Sequence, residues 1–130
     1  MLRTIAARRR ATGAVPRLQL TGDSVTAILR DGHLQTIVCQ RDEEKYILES
    51  TVLPSRTVRR KRVREVLICA WQRNRITDIV TFEVDDRLRL VGRIQQLAET
   101  IDSHELEFYI DTLARECDEL EYLLTGRDEQ

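Results

Sequence analysis

Hydrophobic positions along this chain change period three times, and each change marks a new element. From Ser24, Val25, Ala27 and Leu29 alternate with Thr26 and Ile28 and run into Asp31-Gly32, a strong hairpin signal. His33 opens a return strand that Leu34, Ile37 and Val38 carry to Cys39, and the polar run Arg41 to Glu44 makes the next turn. A third strand covers Tyr46 to Leu53 and stops at Pro54, which has no N–H for a ladder and holds its predecessor extended. The spacing then becomes helical. Ser55 is placed as N-cap, and Val58, Val63, Val66, Leu67, Ala70 and Trp71 share one stripe of a single helix reaching Asn74.

Alternation returns at Ile79, Val80, Phe82 and Val84, followed by a turn at Asp85-Asp86. Leu88, Leu90, Gly92 and Ile94 then define one strand face, and Arg89, Val91, Arg93 and Gln95 the other, as in a sheet with one covered and one wetter side. The last helix has the clearest local signals: Asp102 and Glu105 form a capping box, Ile101 and Leu106 a hydrophobic staple. Leu106, Ile110, Leu113, Cys117, Leu120 and Leu124 form its apolar stripe, and Gly126 is its C-terminal cap. The expected fold is α+β, an antiparallel sheet flanked by helices in the order (α)-β-β-β-α-β-β-α. The domain is expected over 23–126, behind a basic arm or short helix at 1–22 and ahead of a tail at 127–130.

With 130 residues, 42% hydrophobic and 33% charged, the chain suits one domain with a real core. Its three cysteines are odd in number, widely spaced and set in apolar stretches, which points to packing thiols in a reducing cytosol. No apolar run is long enough to cross a bilayer, so a soluble, cytoplasmic protein is expected. Residues 1–22 contain no acid, and this Arg-rich stretch also has the character of a mitochondrial transit peptide.

The net charge of −1 conceals a split: residues 1–75 hold 16 Lys/Arg against 7 Asp/Glu, and residues 76–130 hold 5 against 15. Such a split fits packing within one domain, head-to-tail docking of copies, or a basic face for an acidic partner. Its sharpest part is Arg56, Arg59, Arg60, Lys61, Arg62 and Arg64. On a single helix these cations crowd the first turns, where the dipole favours anions and each misplaced charge costs about 0.3–1 kcal/mol. The acidic last helix or an external anion would compensate.

Candidate chemistry is sparse. His33 lies in a turn and His104 in the first turn of a helix, where a positive charge opposes the dipole. Glu116, Asp118, Glu119 and Glu121 are expected on a solvated helix face, and no Gly-rich phosphate loop is present. The chain is therefore read as a binding module, without catalytic residues, metal or cofactor. Trp71, beside Arg73, Asn74 and Arg75, is either a core anchor or an exposed indole at an interface.

Three strands, a helix ending in Trp71-Gln72-Arg73-Asn74, the hairpin Ile79 to Leu97 and the helix Asp102 to Thr125 together resemble the class I type III secretion chaperones and their YbjN-type relatives. The likeness covers roughly residues 24–126. It implies a small, non-enzymatic homodimer that holds a partner polypeptide segment in extended form along apolar patches, without ATP. Partner or dimer contacts are expected at Arg59, Arg60, Lys61, Arg62, Arg64, Trp71, Arg89, Val91 and Arg93. The alternative is a nucleic-acid-binding regulator that presents Arg59 to Arg64 to duplex phosphates; with aromatics at 5%, single-strand stacking is disfavoured.

Overall fold

Strands Arg17–Thr21 (β1), Ser24–Ile28 (β2), Leu34–Arg41 (β3), Lys45–Leu53 (β4), Thr81–Val84 (β5) and Leu90–Leu97 (β6) form one antiparallel sheet ordered β1-β2-β3-β4-β6-β5. Helices Ser55–Lys61 (α1) and Val63–Asn74 (α2) link β4 to β5, and Ser103–Thr125 (α3) closes the chain. This computed structural model describes residues 17–21, 24–28, 34–41, 44–97 and 102–126, with side chains from residue 34 onward apart from Leu97. The expected α+β class and antiparallel sheet are found. The short-helix reading of residues 1–10, the Asp31-Gly32 turn, the staple at Ile101 and the tail lie outside the described residues.

Three elements differ from expectation. The sheet begins at Arg17, inside the stretch read as an arm, because Leu18 and Leu20 alternate with Arg17, Gln19 and Thr21 and pair with β2 from Arg17↔Ile28 to Thr21↔Ser24. Leu88 leaves the strand and adopts φ 62 in the turn before β6. The expected single helix from Ser55 to Asn74 is two helices, broken at Arg62 with φ 75 and ψ 121. Ser55 is not the N-cap; Pro54 holds that position and no side-chain cap bond forms.

The break has an electrostatic logic. Ending α1 at Lys61 places Arg59, Arg60 and Lys61 in a last turn, where unpaired carbonyls favour cations. The dipole conflict expected of one long helix is thus removed for these three residues. Arg62 takes on the cost, since a non-glycine residue in that region is strained by about 1–3 kcal/mol.

One sheet face carries the core. Along β4, Tyr46, Leu48, Ser50 and Val52 are buried while Lys45, Ile47, Glu49 and Thr51 are half-buried. An irregularity between Thr51 and Leu53 in the β4–β6 ladder accompanies burial of both Val52 and Leu53. α3 lies on β3, β4 and β6 through Leu106, Ile110, Leu113, Cys117 and Leu120, as its stripe predicts. α2 packs on β5 and buries Val66 and Ala70.

The closest approach is at Gly92. It pairs with Ser50 on one side and Phe82 on the other, and a Cβ there would lie 2.6 Å from Cys117 Sγ, 3.0 Å from Phe82 Cε1 and 3.3 Å from Leu113 Cδ1. Ser50 and Gly92 thus form a low point in the sheet for Cys117. Burial pushes the Cys117 thiol well above its usual range, so it packs as a neutral group.

Polar side chains pair with backbone groups at the β5 edge, the start of α3 and the β5–β6 turn. Asn74 Nδ2 donates to Phe82 O at 2.9 Å and Phe82 N donates to Asn74 Oδ1 at 2.7 Å, so a carboxamide stands where another strand would pair with β5. Asp102 and Glu105 make the expected capping box, with both reciprocal bonds present, and Gly126 takes the left-handed C-cap at φ 82. In the β5–β6 turn, Asp85 Oδ1 accepts from Arg87 N and Arg89 N at 3.0 and 2.9 Å, and Oδ2 accepts from Arg89 Nε and Nη2 at 2.9 and 2.7 Å.

Two tests follow from this packing. Gly92→Ala should destabilise the fold by about 1–3 kcal/mol in chemical denaturation, and adding Cys117→Ala should recover part of the loss by removing the sulfur. For Asp85, burial alone would raise the carboxyl pKa, but the hydrogen bonds from Arg89 and Arg87 outweigh it and hold it below its usual value. A lowered folded pKa stabilises the native state above the unfolded value and is lost as pH falls through the folded one. Between about pH 5 and pH 2, the wild-type chain should therefore lose more stability than Asp85→Asn, read from denaturation midpoints at each pH. An equal loss would show that the turn does not hold Asp85 in its ionised form.

Candidate protein-interaction surfaces

The buried side of α2 fixes what its other side presents. With Val66 and Ala70 inward, helical spacing turns Leu67, Ile68 and Trp71 outward, and Trp71 remains 60% exposed. Trp71 is thus the exposed indole, not a core anchor. The Arg75 guanidinium carbon sits 5.1 Å from the ring centroid, in a cation–π arrangement that holds the indole against the surface. Ile76, at 72% exposure, follows just beyond the helix. The helix end is anchored from behind: Arg73 Nη2 donates to Glu116 Oε1 at 3.1 Å and also pairs with Glu119, tying α2 to α3.

A second surface is the sheet face away from α3. Arg93 donates to Glu49 Oε2 through Nη2 at 2.6 Å and Nε at 3.2 Å, and to Glu83 Oε2 through Nη1 at 2.8 Å. The Glu49 hydrogen bond, with Glu83 adding to it against the effect of burial, raises the already high pKa of this guanidinium and keeps it charged. Arg89 joins Asp85 to the same network and lies 3.9 Å from Glu49. Val91 lies between Arg89 and Arg93 in the strand, paired with Thr51 and Glu83, and is 0% exposed. The expected contact set on β6 is therefore an ion-paired strip over a covered valine. Beside it, Leu34, Thr36 and Val38 line a shallow cleft of about 260 Å³, with Leu34 and Val38 exposed.

The third surface lies at the α1–α2 junction. Arg60, Lys61, Arg62, Glu65, Val66, Cys69, Leu123 and Leu124 line a groove of about 630 Å³ between this junction and the end of α3. Arg56, Arg59 and Arg64 are exposed nearby. Among the described residues, the cluster's one ion pair is Arg62 to Glu65 at 4.0 Å, with both side chains mostly exposed. The acids of α3 do not compensate it: Glu116 and Glu119 hold Arg73, and Asp111 Oδ2 holds Arg115 at 3.1 Å.

Sequence reasoning missed three buried acids of α3, Glu107, Asp111 and Glu121. Glu121 was expected on a solvated face, but it is fully buried and accepts from Gln35 Nε2 at 3.1 Å. Ser50 Oγ lies 2.9 Å from both Gln35 Oε1 and Thr36 O, so the three side chains join β3, β4 and α3 within the core. Its place four residues after Cys117 put it on the apolar stripe. Cys39 and Cys69 are half-buried and outside any disulfide. Among the described residues, no group of three His, Cys, Asp or Glu could hold a metal, and no helix is long and apolar enough to cross a membrane.

No family model and no curated protein matches the sequence. Solved structures do match the fold. A chain of the ExsC–ExsE complex aligns with a TM-score of 0.56 at 16% identity, covering 95% of this chain and 92% of that one. A chain of the ExoU–SpcU heterodimer from the type III secretion system of Pseudomonas aeruginosa aligns with a TM-score of 0.57 at 16% identity, covering 98% of this chain and all (100%) of that one. The HopA1–SchA chaperone–effector complex gives 0.50 at 15% identity, over 98% and 93%. The chain shares its fold with chains of these three complexes.

Proposed function

We propose that this chain is a non-enzymatic, chaperone-like module of the cytoplasm that, as a homodimer, holds a segment of another polypeptide in extended form. The observation that carries this reading is the outer face of α2. Leu67, Ile68 and Trp71 stand together on an exposed helix face, where large apolar groups cost solvation unless another surface covers them. The likeness to chains found in a chaperone–effector complex and a type III secretion heterodimer supports the partner-binding role.

In this reading the domain takes in β1 and runs from Arg17 to Gly126. Trp71 anchors the two-fold contact. Arg89 and Arg93 supply its charged rim, and Val91 supports the strip from beneath. Either a class I secretion chaperone or a YbjN-type relative would fit this arrangement.

A second reading has its own observation: the exposed cations from Arg59 to Arg64 lack acidic compensation from α3, as a phosphate-binding surface would require. It predicts a nucleic-acid-binding regulator, with affinity falling steeply as salt rises.

Sedimentation velocity at tens of micromolar should show a dimer. Leu67→Glu with Trp71→Glu should convert it to a monomer that still unfolds cooperatively, with Tm lowered only by the lost association and no longer dependent on protein concentration. Tagged protein isolated from its own cells should carry a bound polypeptide, one segment of which remains non-globular by hydrogen exchange. A strict monomer with no bound polypeptide would overturn the proposal; a preparation carrying nucleic acid that salt removes would favour the second reading.

A further inference from the structure

We infer that the groove at the α1–α2 junction docks an acidic segment studded with apolar residues, part of the partner polypeptide proposed above. The segment's carboxylates meet Arg60, Lys61 and Arg62, and its apolar side chains rest on Leu123 and Leu124. This rests on the partner-binding reading and adds where one part of the partner lies and what chemistry it carries.

Charge complementarity is the first argument. Arg60, Lys61 and Arg62 line one wall of the groove, and among the described residues only Glu65 offers them a carboxylate, at 4.0 Å from Arg62. Like charges held this close repel each other, so an incoming anion gains from all three. The two helices converge there as well. Arg62 is both C-cap of α1 and N-cap of α2, and the first turn of α2 has no side-chain cap to occupy its N–H groups.

Seven of the described acids are already engaged. Glu116 and Glu119 hold Arg73, Asp111 holds Arg115, Glu49 and Glu83 hold Arg93, and Asp85 holds Arg89. Glu105 closes the cap of α3. A second copy would bring these same engaged carboxylates, and breaking a pair to form another gains little. A partner polypeptide meets the cations without breaking any of these pairs.

The opposite wall decides the kind of anion. Leu123 is 62% exposed at the mouth of the groove, Leu124 is half-buried behind it, and Val66 forms the floor. A nucleic-acid backbone has no apolar group to place there. A peptide alternating acidic and aliphatic residues serves both walls at once. The volume of about 630 Å³ holds a few side chains, enough for a short stretch and not for a folded domain.

The test uses the full chain with three fluorescein-labelled probes: a peptide of alternating Leu and Glu, the same peptide with Gln for Glu, and a short DNA duplex. The Leu/Glu peptide should bind most tightly by fluorescence anisotropy. Arg60→Glu with Lys61→Glu should weaken it by about tenfold or more, and Leu123→Ser by about threefold. Arg56→Glu with Arg59→Glu, outside the groove lining, should change it by no more than about twofold. In a Cys39→Ser background, bound peptide should also slow modification of Cys69, which lines the groove. Unchanged affinity in the Arg60/Lys61 variant overturns the inference, as does a duplex that binds more tightly than the peptide and is lost on the same charge reversal. If that variant still dimerises and retains the polypeptide bound in cells, the groove assignment fails while the partner-binding proposal stands.

Discussion

The structure depends on how closely α3 can approach the sheet, and that distance is set where Cys117 meets Gly92 and Ser50. A sheet of side chains keeps a helix about 10 Å away, and the two small residues on neighbouring strands lower the surface by one side-chain layer at one point. Phe82, on the neighbouring strand β5, reaches the same spot beside Cys117 and covers the backbone that the glycine leaves bare. With α3 seated there, Leu113 and Leu120 reach the core and Glu121 reaches Gln35. Filling the low point would lift the whole helix, so its register on the sheet is fixed from within.

The surfaces available for binding follow from that arrangement. α3 covers one face of the sheet, the other is occupied by paired arginines and glutamates, and α2 turns three large apolar groups to solvent. Charges on the sheet satisfy one another, whereas those around Arg62 do not. Two kinds of surface therefore coexist on adjacent helical elements: an apolar one suited to self-association, and a cationic one for an anion from outside.

Elements specified by local chemistry were legible in the sequence. The α3 cap, its C-terminal glycine and the alternation on β6 each rest on residues a few positions apart, and the structure has all of them. Features that depend on distant partners were not. β1 carries only two leucines in five positions and becomes a strand by pairing with β2. The break at Arg62 has neither Gly nor Pro to announce it; it follows from where cations sit relative to two helix ends. Trp71 was open to both readings because sequence spacing places a residue on a helix face but does not say which faces are covered. Glu121 was hidden by its charge, since Gln35, which donates to it within the core, is remote in sequence.

Asn74 has a further consequence, for motion. Its carboxamide is shared by the last residue of α2 and the middle of β5, with both hydrogen bonds made to the same backbone unit. The helix end cannot fray without stripping β5 of its outer partner, and β5 cannot detach without releasing the helix. The two form one unit of local unfolding, so any protein that grips the exposed face of α2 also quiets the edge of the sheet, where no contact need be made.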